Sequence, residues 1–367
     1  MKYHIALGRP LNLEEISRDA AERKRPRHVM WALSQRLGAT VHEPGSEPVL
    51  PLDKLRAKIA GQPEHWAMAR ALSSQLGSED VVFCTGEDIG VPIATLCGAK
   101  ASRPKIVMFA HNLDRPRGRA SLKLFGVADR VDLFVTNAGL QSDFLRRFLK
   151  LPQDRLCMLG DQTDMQFFTP GSASPDKQKP TVVGVGLEKR DYRTVAAATC
   201  DLDVDVKIAG FSQDVQSLAQ AFPETMPINM SNCFYEWPDL LQLYRNADVV
   251  VVSVIDNKFC AGVTSMMEAM ACRRPVVVTR TQGLSDYVAS PGIASVVNPG
   301  DAGAMRQAIV NLLQNPQEAK AQAKRGYEYA LKHYNSDDYV EVLASQLMRV
   351  GGELGVTLRR QAQALPV

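Results

Sequence analysis

Short apolar runs, each followed by a helical pattern, recur along almost the whole chain. In order they are YHIALG, VVFCTG, KIVMFAH, DLFVTN and RLCMLG, then TVVGVG, VKIAGF, ADVVVVSV, RRPVVVTR and IASVVN. Runs this short and this rich in Val, Ile and Leu read as strands buried on both faces. The Ala/Leu-rich segments between them supply the crossover helices that parallel strands require. The array breaks once, at FFTPGSASPDKQKP (residues 167–180), which is rich in Pro, Ser and Gly and lacks periodicity. The expectation is an α/β chain of two doubly wound, Rossmann-like domains facing a central cleft. Residues 1–167 form the first domain, 168–180 a hinge linker, 181–334 the second domain and 335–367 a helical extension. The 367 residues suit two cores of roughly 150 residues each. Ligands of such sheets lie outside the carboxyl ends of the strands.

Composition narrows the class further. Apolar residues make up 45% and charged residues 23%, the balance of an ordered globular chain. Cys84, Cys97, Cys157, Cys200, Cys233, Cys260 and Cys272 are odd in number and irregular in spacing, so neither a disulfide framework nor a zinc site is expected. A reducing cytoplasm fits this usage. The start, MKYHIALGRPLNLEE, turns polar after seven residues, and no run approaches the roughly 18 apolar residues of a membrane span. Net charge is +3, yet residues 1–170 hold 24 Lys/Arg against 19 Asp/Glu and the remainder 19 against 21. The surplus gathers in RKRPRH (23–28), RPRGR (115–119) and RRFLK (146–150). Each is either a solvated face or an attraction for an anionic or membrane-borne partner; no nucleic-acid partner is expected.

Two glycine turns carry the candidate chemistry. In TVVGVGLEKRDYR (181–193), Gly184 and Gly186 lack the third glycine of a dinucleotide fingerprint, and Asp203 and Asp205 precede the next strand instead of ending it. What remains is a turn presenting backbone amides to an anion, with Lys189 and Arg190 able to neutralise a diphosphate; a plain turn with surface basics is the alternative. In FCAGVTSMMEAMACRRPVVV (259–278), Gly262 turns the chain, Thr264 and Ser265 are suited to cap the following helix, and its free amides form a phosphate seat. Ser265-x-x-Glu268 also fits a capping box. The helix is otherwise apolar, so a buried Glu268 needs donors. Either ribose hydroxyls or backbone amides would serve.

AGVTSMMEAMACRRPVVVTRTQGLSDYV resembles the donor-binding signature of the large fourth family of retaining, nucleotide-sugar-dependent glycosyltransferases, which have the GT-B fold. Supporting pieces follow in order: FCTGEDIGVPIA, MFAHN, ADRVDLFVTN, DMQFFTP, VGVGLEKRDYRT and DLLQLYRNADVVVVS. The resemblance implies sugar transfer from a UDP- or GDP-linked donor without a metal ion and with no cofactor beyond the donor itself. It places Gly186, Lys189, Arg190 and the amides near Thr264 and Ser265 on the diphosphate, and Glu268 on the ribose. His111 falls near the donor sugar and the reacting centre. The family pattern has two glutamates with seven residues between them; Glu268 matches the second, and Cys260 stands at the first. Backbone amides of Phe259, Cys260, Ala261 and Gly262 would then cradle the sugar. An epimerase or hydrolase of the same fold, or a non-catalytic sugar-nucleotide-binding subunit, is the alternative.

Two further stretches have bland readings. DLDVD (201–205) mimics a metal-binding Asp-x-Asp but leads into a strand, so no metal is expected there. ERKRPRHVMWALSQRL (22–37) fits an interfacial helix touching a membrane, or an ordinary helix with one buried stripe.

Overall fold

The structure is a computed structural model that describes residues 1–210 and 220–353. Phe211 of the VKIAGF run and the tail GVTLRRQAQALPV lie outside the described residues. By internal contact the chain divides into two compact units. Unit 1 comprises residues 1–17, 28–160 and the chain from Asp337 onward; unit 2 comprises 18–27 and 161–336.

Unit 1 holds a six-stranded parallel sheet of β1 (Lys2–Ala6), β2 (Thr40–His42), β3 (Asp80–Cys84), β4 (Lys105–Phe109), β5 (Leu133–Thr136) and β6 (Leu156–Met158), in the order β2-β1-β3-β4-β5-β6. Side chains alternate across the sheet, so both faces are apolar. One face packs Val82, Cys84, Ile106, Met108 and Phe134 with Trp66. The other packs Tyr3, Ile5, Val107 and Leu133 against Leu33, Leu343 and Leu347. Leu343 and Leu347 belong to the helix Ser336–Val350, the extension of the sequence reading. Its stripe Val340, Leu343, Ala344 and Leu347 has helical spacing and is part of the unit 1 core. Burying each large aliphatic side chain there contributes roughly 1.5–3 kcal/mol.

The helix Val29–Leu37 likewise turns its stripe inward: Met30 and Leu33 are buried and Trp31 packs beside them. The apolar face considered for a membrane is therefore core. No helix among the described residues is long and apolar enough to cross a membrane.

Unit 2 holds a second six-stranded parallel sheet of β7 (Thr181–Val185), β8 (Asp205–Ala209), β9 (Met230–Asn232), β10 (Val249–Val252), β11 (Val276–Thr279) and β12 (Ser295–Val297), in the order β12-β11-β10-β7-β8-β9. The chain runs outward from β7 through β8 and β9. It then returns to place β10 on the other side of β7, in register Val249 with Val182. Strand order thus reverses between β7 and β10, and ligands of doubly wound sheets bind at the carboxyl ends beside such a reversal. The stretch expected as a hinge is held within unit 2. Arg245 donates to Thr169, Arg274 to the carbonyl of Gly171, and the Ser174 amide to Asn246.

Two carboxylates of DLDVD have protein partners: Asp201 pairs with Arg306 and Asp203 with Lys179. Several cations of the basic stretches are also engaged. Arg27 grips Asp164 with two nitrogens, Arg119 pairs with Asp114, and Arg146 and Arg147 share Asp143.

Candidate active site

The turn after β7 is built around glycine. Gly184 has no room for a methyl group, because an added Cβ would lie 2.8 Å from the Tyr192 ring and 2.9 Å from Ile208. Gly186 takes φ +95, a left-handed conformation that side chains disfavour. A Cβ there would sit 2.5 Å from Arg190 Nη2. The guanidinium of Arg190 fills that space. It donates from Nε to the Val185 carbonyl (2.9 Å), from Nη1 to the Glu188 carbonyl (2.9 Å) and from Nη2 to Ser265 Oγ (3.0 Å). Arg190 is 5% exposed and has no carboxylate within ion-pair distance among the described residues. Lys189 beside it adopts φ +54, and its half-buried ammonium makes no hydrogen bond or ion pair among the described residues.

Across the strand reversal lies the turn after β10. Arg190 forms an isolated bridge with Val254, and the Ile255 amide donates to the Lys189 carbonyl, so the two turns are stitched together. Gly262 (φ +91) caps the helix Val263–Ala271 without a side-chain cap. This corrects the expectation that Thr264 and Ser265 cap it: both already lie inside the first turn. Ser265 Oγ donates back to the Gly262 carbonyl while accepting from Arg190; Thr264 is exposed. The amides of Gly262, Thr264 and Ser265 have no acceptor among the described residues. They point where the positive end of the helix dipole favours an anion.

The cradle expected from Phe259–Gly262 is narrower than the sequence suggested. The Phe259 amide donates to Asn257 Oδ1 and the Ala261 amide to the Phe259 carbonyl, so the tight turn consumes them internally. Cys260 is buried, and burial pushes its thiol well above the ordinary range, with the carboxylates of Asp161 and Asp286 adding to the rise. A neutral thiol supplies no carboxylate at that position. Gly283 packs against this turn, where a Cβ would stand 2.0 Å from the Phe259 carbonyl oxygen.

Glu268 is 7% exposed and lies in the helix's second turn. It does not close a capping box, because the cap is Gly262 and the helix has no side-chain cap bond. Instead Oε2 accepts a hydrogen bond from the buried hydroxyl of Tyr244 at 2.6 Å. Burial pushes its carboxyl up to about 7, opposed by the Tyr244 hydrogen bond and the Arg190 charge. Oε1 has no protein donor among the described residues. Tyr244 lay in a quoted segment, yet nothing in its local pattern announced a partner 24 residues away.

His111 belongs to unit 1, just past the carboxyl end of β4. Its ring stacks on Phe109 at 4.4 Å, and Nε2 lies 3.2 Å from the Thr85 carbonyl. A carbonyl only accepts, so Nε2 carries a proton. The His111 and Asn112 amides both donate to Glu87 (2.9 and 3.2 Å), which fixes the loop.

Residues 190–315 match the sequence model of a family described as Glycosyl transferases group 1. The chain is 26% identical over 306 residues to a D-inositol 3-phosphate glycosyltransferase of Mycolicibacterium smegmatis, covering 76% of this chain and 67% of that one. A protein of that name from a Mycobacterium species (strain KMS) is 27% identical over 205 residues, 51% of this chain and 46% of the relative. The chain thus spans about half to two thirds of the length of these relatives. Among solved structures, sucrose-phosphate synthase from Thermosynechococcus elongatus superposes with a TM-score of 0.70 at 16% identity, covering 95% of this chain and 98% of that one. HepE from Anabaena in complex with UDP-glucose gives 0.65 at 16% identity, covering 95% and 100%. These likenesses bear on the fold. With two parallel sheets of this topology and these structural neighbours, the chain has the GT-B fold, and its residues 190–315, within unit 2, are similar to the group 1 glycosyltransferases.

Proposed function

We propose that this glycosyltransferase takes its sugar from a UDP- or GDP-linked donor and transfers it with retention at the anomeric carbon, without a metal ion. The observation that carries this reading is the Arg190 guanidinium, buried between the Gly186 and Gly262 turns with no carboxylate within ion-pair distance among the described residues. A buried charge is costly until an opposite charge meets it. A diphosphate would supply that charge, with the Gly262, Thr264 and Ser265 amides and Lys189 as further donors.

Breaking the glycosidic bond of such a donor puts negative charge on the leaving diphosphate and positive charge on the sugar ring. Preorganised donors stabilise the former, each worth about 3 kcal/mol of barrier, or on the order of a hundredfold in rate. Glu268 Oε1 is suited to the ribose hydroxyls. The family resemblance favours a front-face path in which the departing phosphate takes the acceptor proton, and assigns His111 to turnover. That HepE was solved with UDP-glucose agrees with a nucleotide-sugar donor.

The test is a panel of UDP, GDP and ADP with their glucose and mannose conjugates. Thermal shift reports binding, because a ligand of the native state raises its melting point, and chromatography of the products reports chemistry. Free nucleotide released only when an acceptor is present supports transfer. A changed sugar would mean epimerisation, and binding without turnover would mean a non-catalytic subunit.

A further inference from the structure

Glu268 meets its site through a second residue, and an aromatic motif otherwise without a role stands behind that residue. Tyr244 is fully buried on the helix Trp237–Asn246, with its hydroxyl 2.6 Å from Glu268 Oε2. The Tyr244 ring is held edge-on by Phe168 at 5.9 Å and 86°. Phe168 belongs to DMQFFTP and also meets Phe167 at 5.1 Å and Trp237 at 6.5 Å. The same segment is anchored by Asp164, which accepts from the Arg27 guanidinium and from the Phe168 amide. A line of packed groups therefore runs from Asp164 through Phe168 and Tyr244 to the carboxylate, all within unit 2.

Resting on the donor reading above, we propose that Tyr244 is a positioning residue of the donor site: its hydroxyl occupies one oxygen of Glu268, leaving the other to accept from the ligand's ribose. A carboxylate on a three-bond stem rotates freely in the absence of such a contact. The single short bond from an immobilised phenol selects one orientation, and a carboxylate held ready accepts without reorganising. The bond is also electrostatic. The groups facing Glu268 are the Tyr244 phenol, the Arg190 guanidinium and, one turn further along its own helix, the Cys272 thiol, which burial holds up at about 12 and therefore neutral. Of these, Tyr244 and Arg190 favour the ionised carboxylate against the burial that raises it to about 7. An ionised carboxylate accepts from both ribose hydroxyls; a protonated one spends an oxygen as a donor.

The test compares the full chain with its Tyr244→Phe and Glu268→Gln variants, using UDP and GDP as probes in calorimetric titrations from pH 5.5 to 9. Tyr244→Phe keeps the ring and its packing. In the wild type, affinity should rise as pH passes through about 7. In Tyr244→Phe the midpoint should move up by about one pH unit or more, the shift expected from losing a hydrogen bond to a charged group. In Glu268→Gln this component should vanish, leaving only the titration of the nucleotide's own phosphate. A ligand-free measurement runs in parallel: the carboxyl carbon signal that Glu268→Gln removes from [13C]glutamate-labelled protein should titrate near pH 7 and shift upward in Tyr244→Phe. An unmoved carboxyl titration overturns the pairing whatever the protein binds. If the carboxyl shifts but neither UDP nor GDP binds the wild type, the donor reading falls and the assignment of Tyr244 to a donor site falls with it.

Discussion

Replacing Arg190 by Met separates a structural strap from an anion seat. The methionine stem keeps much of the aliphatic volume and removes the charge together with the hydrogen bonds to the Val185 and Glu188 carbonyls and to Ser265 Oγ. Taken alone, three bonds from a charged donor at about 1.5 kcal/mol each would cost about 4.5 kcal/mol of stability. Against this, residue Arg190 is 5% exposed and the Glu268 carboxyl whose ionisation it favours lies beyond ion-pair distance, and keeping an ion out of water without a contact partner costs several kcal/mol in the free protein. The two effects oppose each other, so the free variant should lie within about 2 kcal/mol of wild type by urea unfolding, in either direction. The complex has no such cancellation. There the charge meets the diphosphate, and losing a pair of charge-assisted hydrogen bonds at about 1.5 kcal/mol each should weaken UDP or GDP binding on the order of a hundredfold. Calorimetric titration at fixed salt measures it. A stability loss above about 4 kcal/mol with unchanged nucleotide affinity would refute the reasoning and leave Arg190 as scaffolding.

Two further outcomes follow from geometry. Gly283→Ala would drive a methyl group to 2.0 Å from the Phe259 carbonyl oxygen, so the 259–262 turn must move; urea unfolding should show a loss of about 1–3 kcal/mol, with nucleotide affinity falling as the Gly262 amide is displaced. Near-wild-type values for both would show that the turn adjusts freely. His111→Ala loses the stack on Phe109 and the bond to the Thr85 carbonyl, a cost of about 1–2 kcal/mol, and should depress kcat while leaving nucleotide affinity intact; unchanged turnover would remove His111 from the reaction.

How far the sequence speaks depends on whether a feature is local. The Val-Val-Val-Val of β10 could be read as a doubly buried strand without any partner in view, and the glycine turns after β7 and β10 mark themselves by residue type. Two of the four edge strands were invisible: β2 is TVH and β9 is MSN, three residues each and largely polar, whereas the edge strands β6 and β12 lie in the apolar runs RLCMLG and IASVVN. Ser265 looked like a helix cap for the sound reason that hydroxyls accept from first-turn amides. The chain instead begins the helix at Gly262, which takes a left-handed conformation and has no side chain to clash with Val252, 2.6 Å from where a Cβ would stand.

Lys189, Arg190 and Glu268 were singled out by residue type and place along the chain, and His111 by the resemblance. Neither reading said which groups of the protein satisfy them.

What the sequence determined alone, then, is the pair of parallel sheets, the position of the two glycine turns and the helix that carries Glu268, since hydrophobic period and glycine placement are written within a few residues of where they act. The tertiary structure decided the rest. It took the last described helix into the core of unit 1, turned the basic 22–37 tract's apolar stripe inward, and set Tyr244 rather than a helix amide against Glu268. Those outcomes depend on which distant side chains converge in the low-dielectric interior, where each buried polar group must find a donor or acceptor and each apolar stripe a face, and such convergence is a property of the folded chain and not of any window along it.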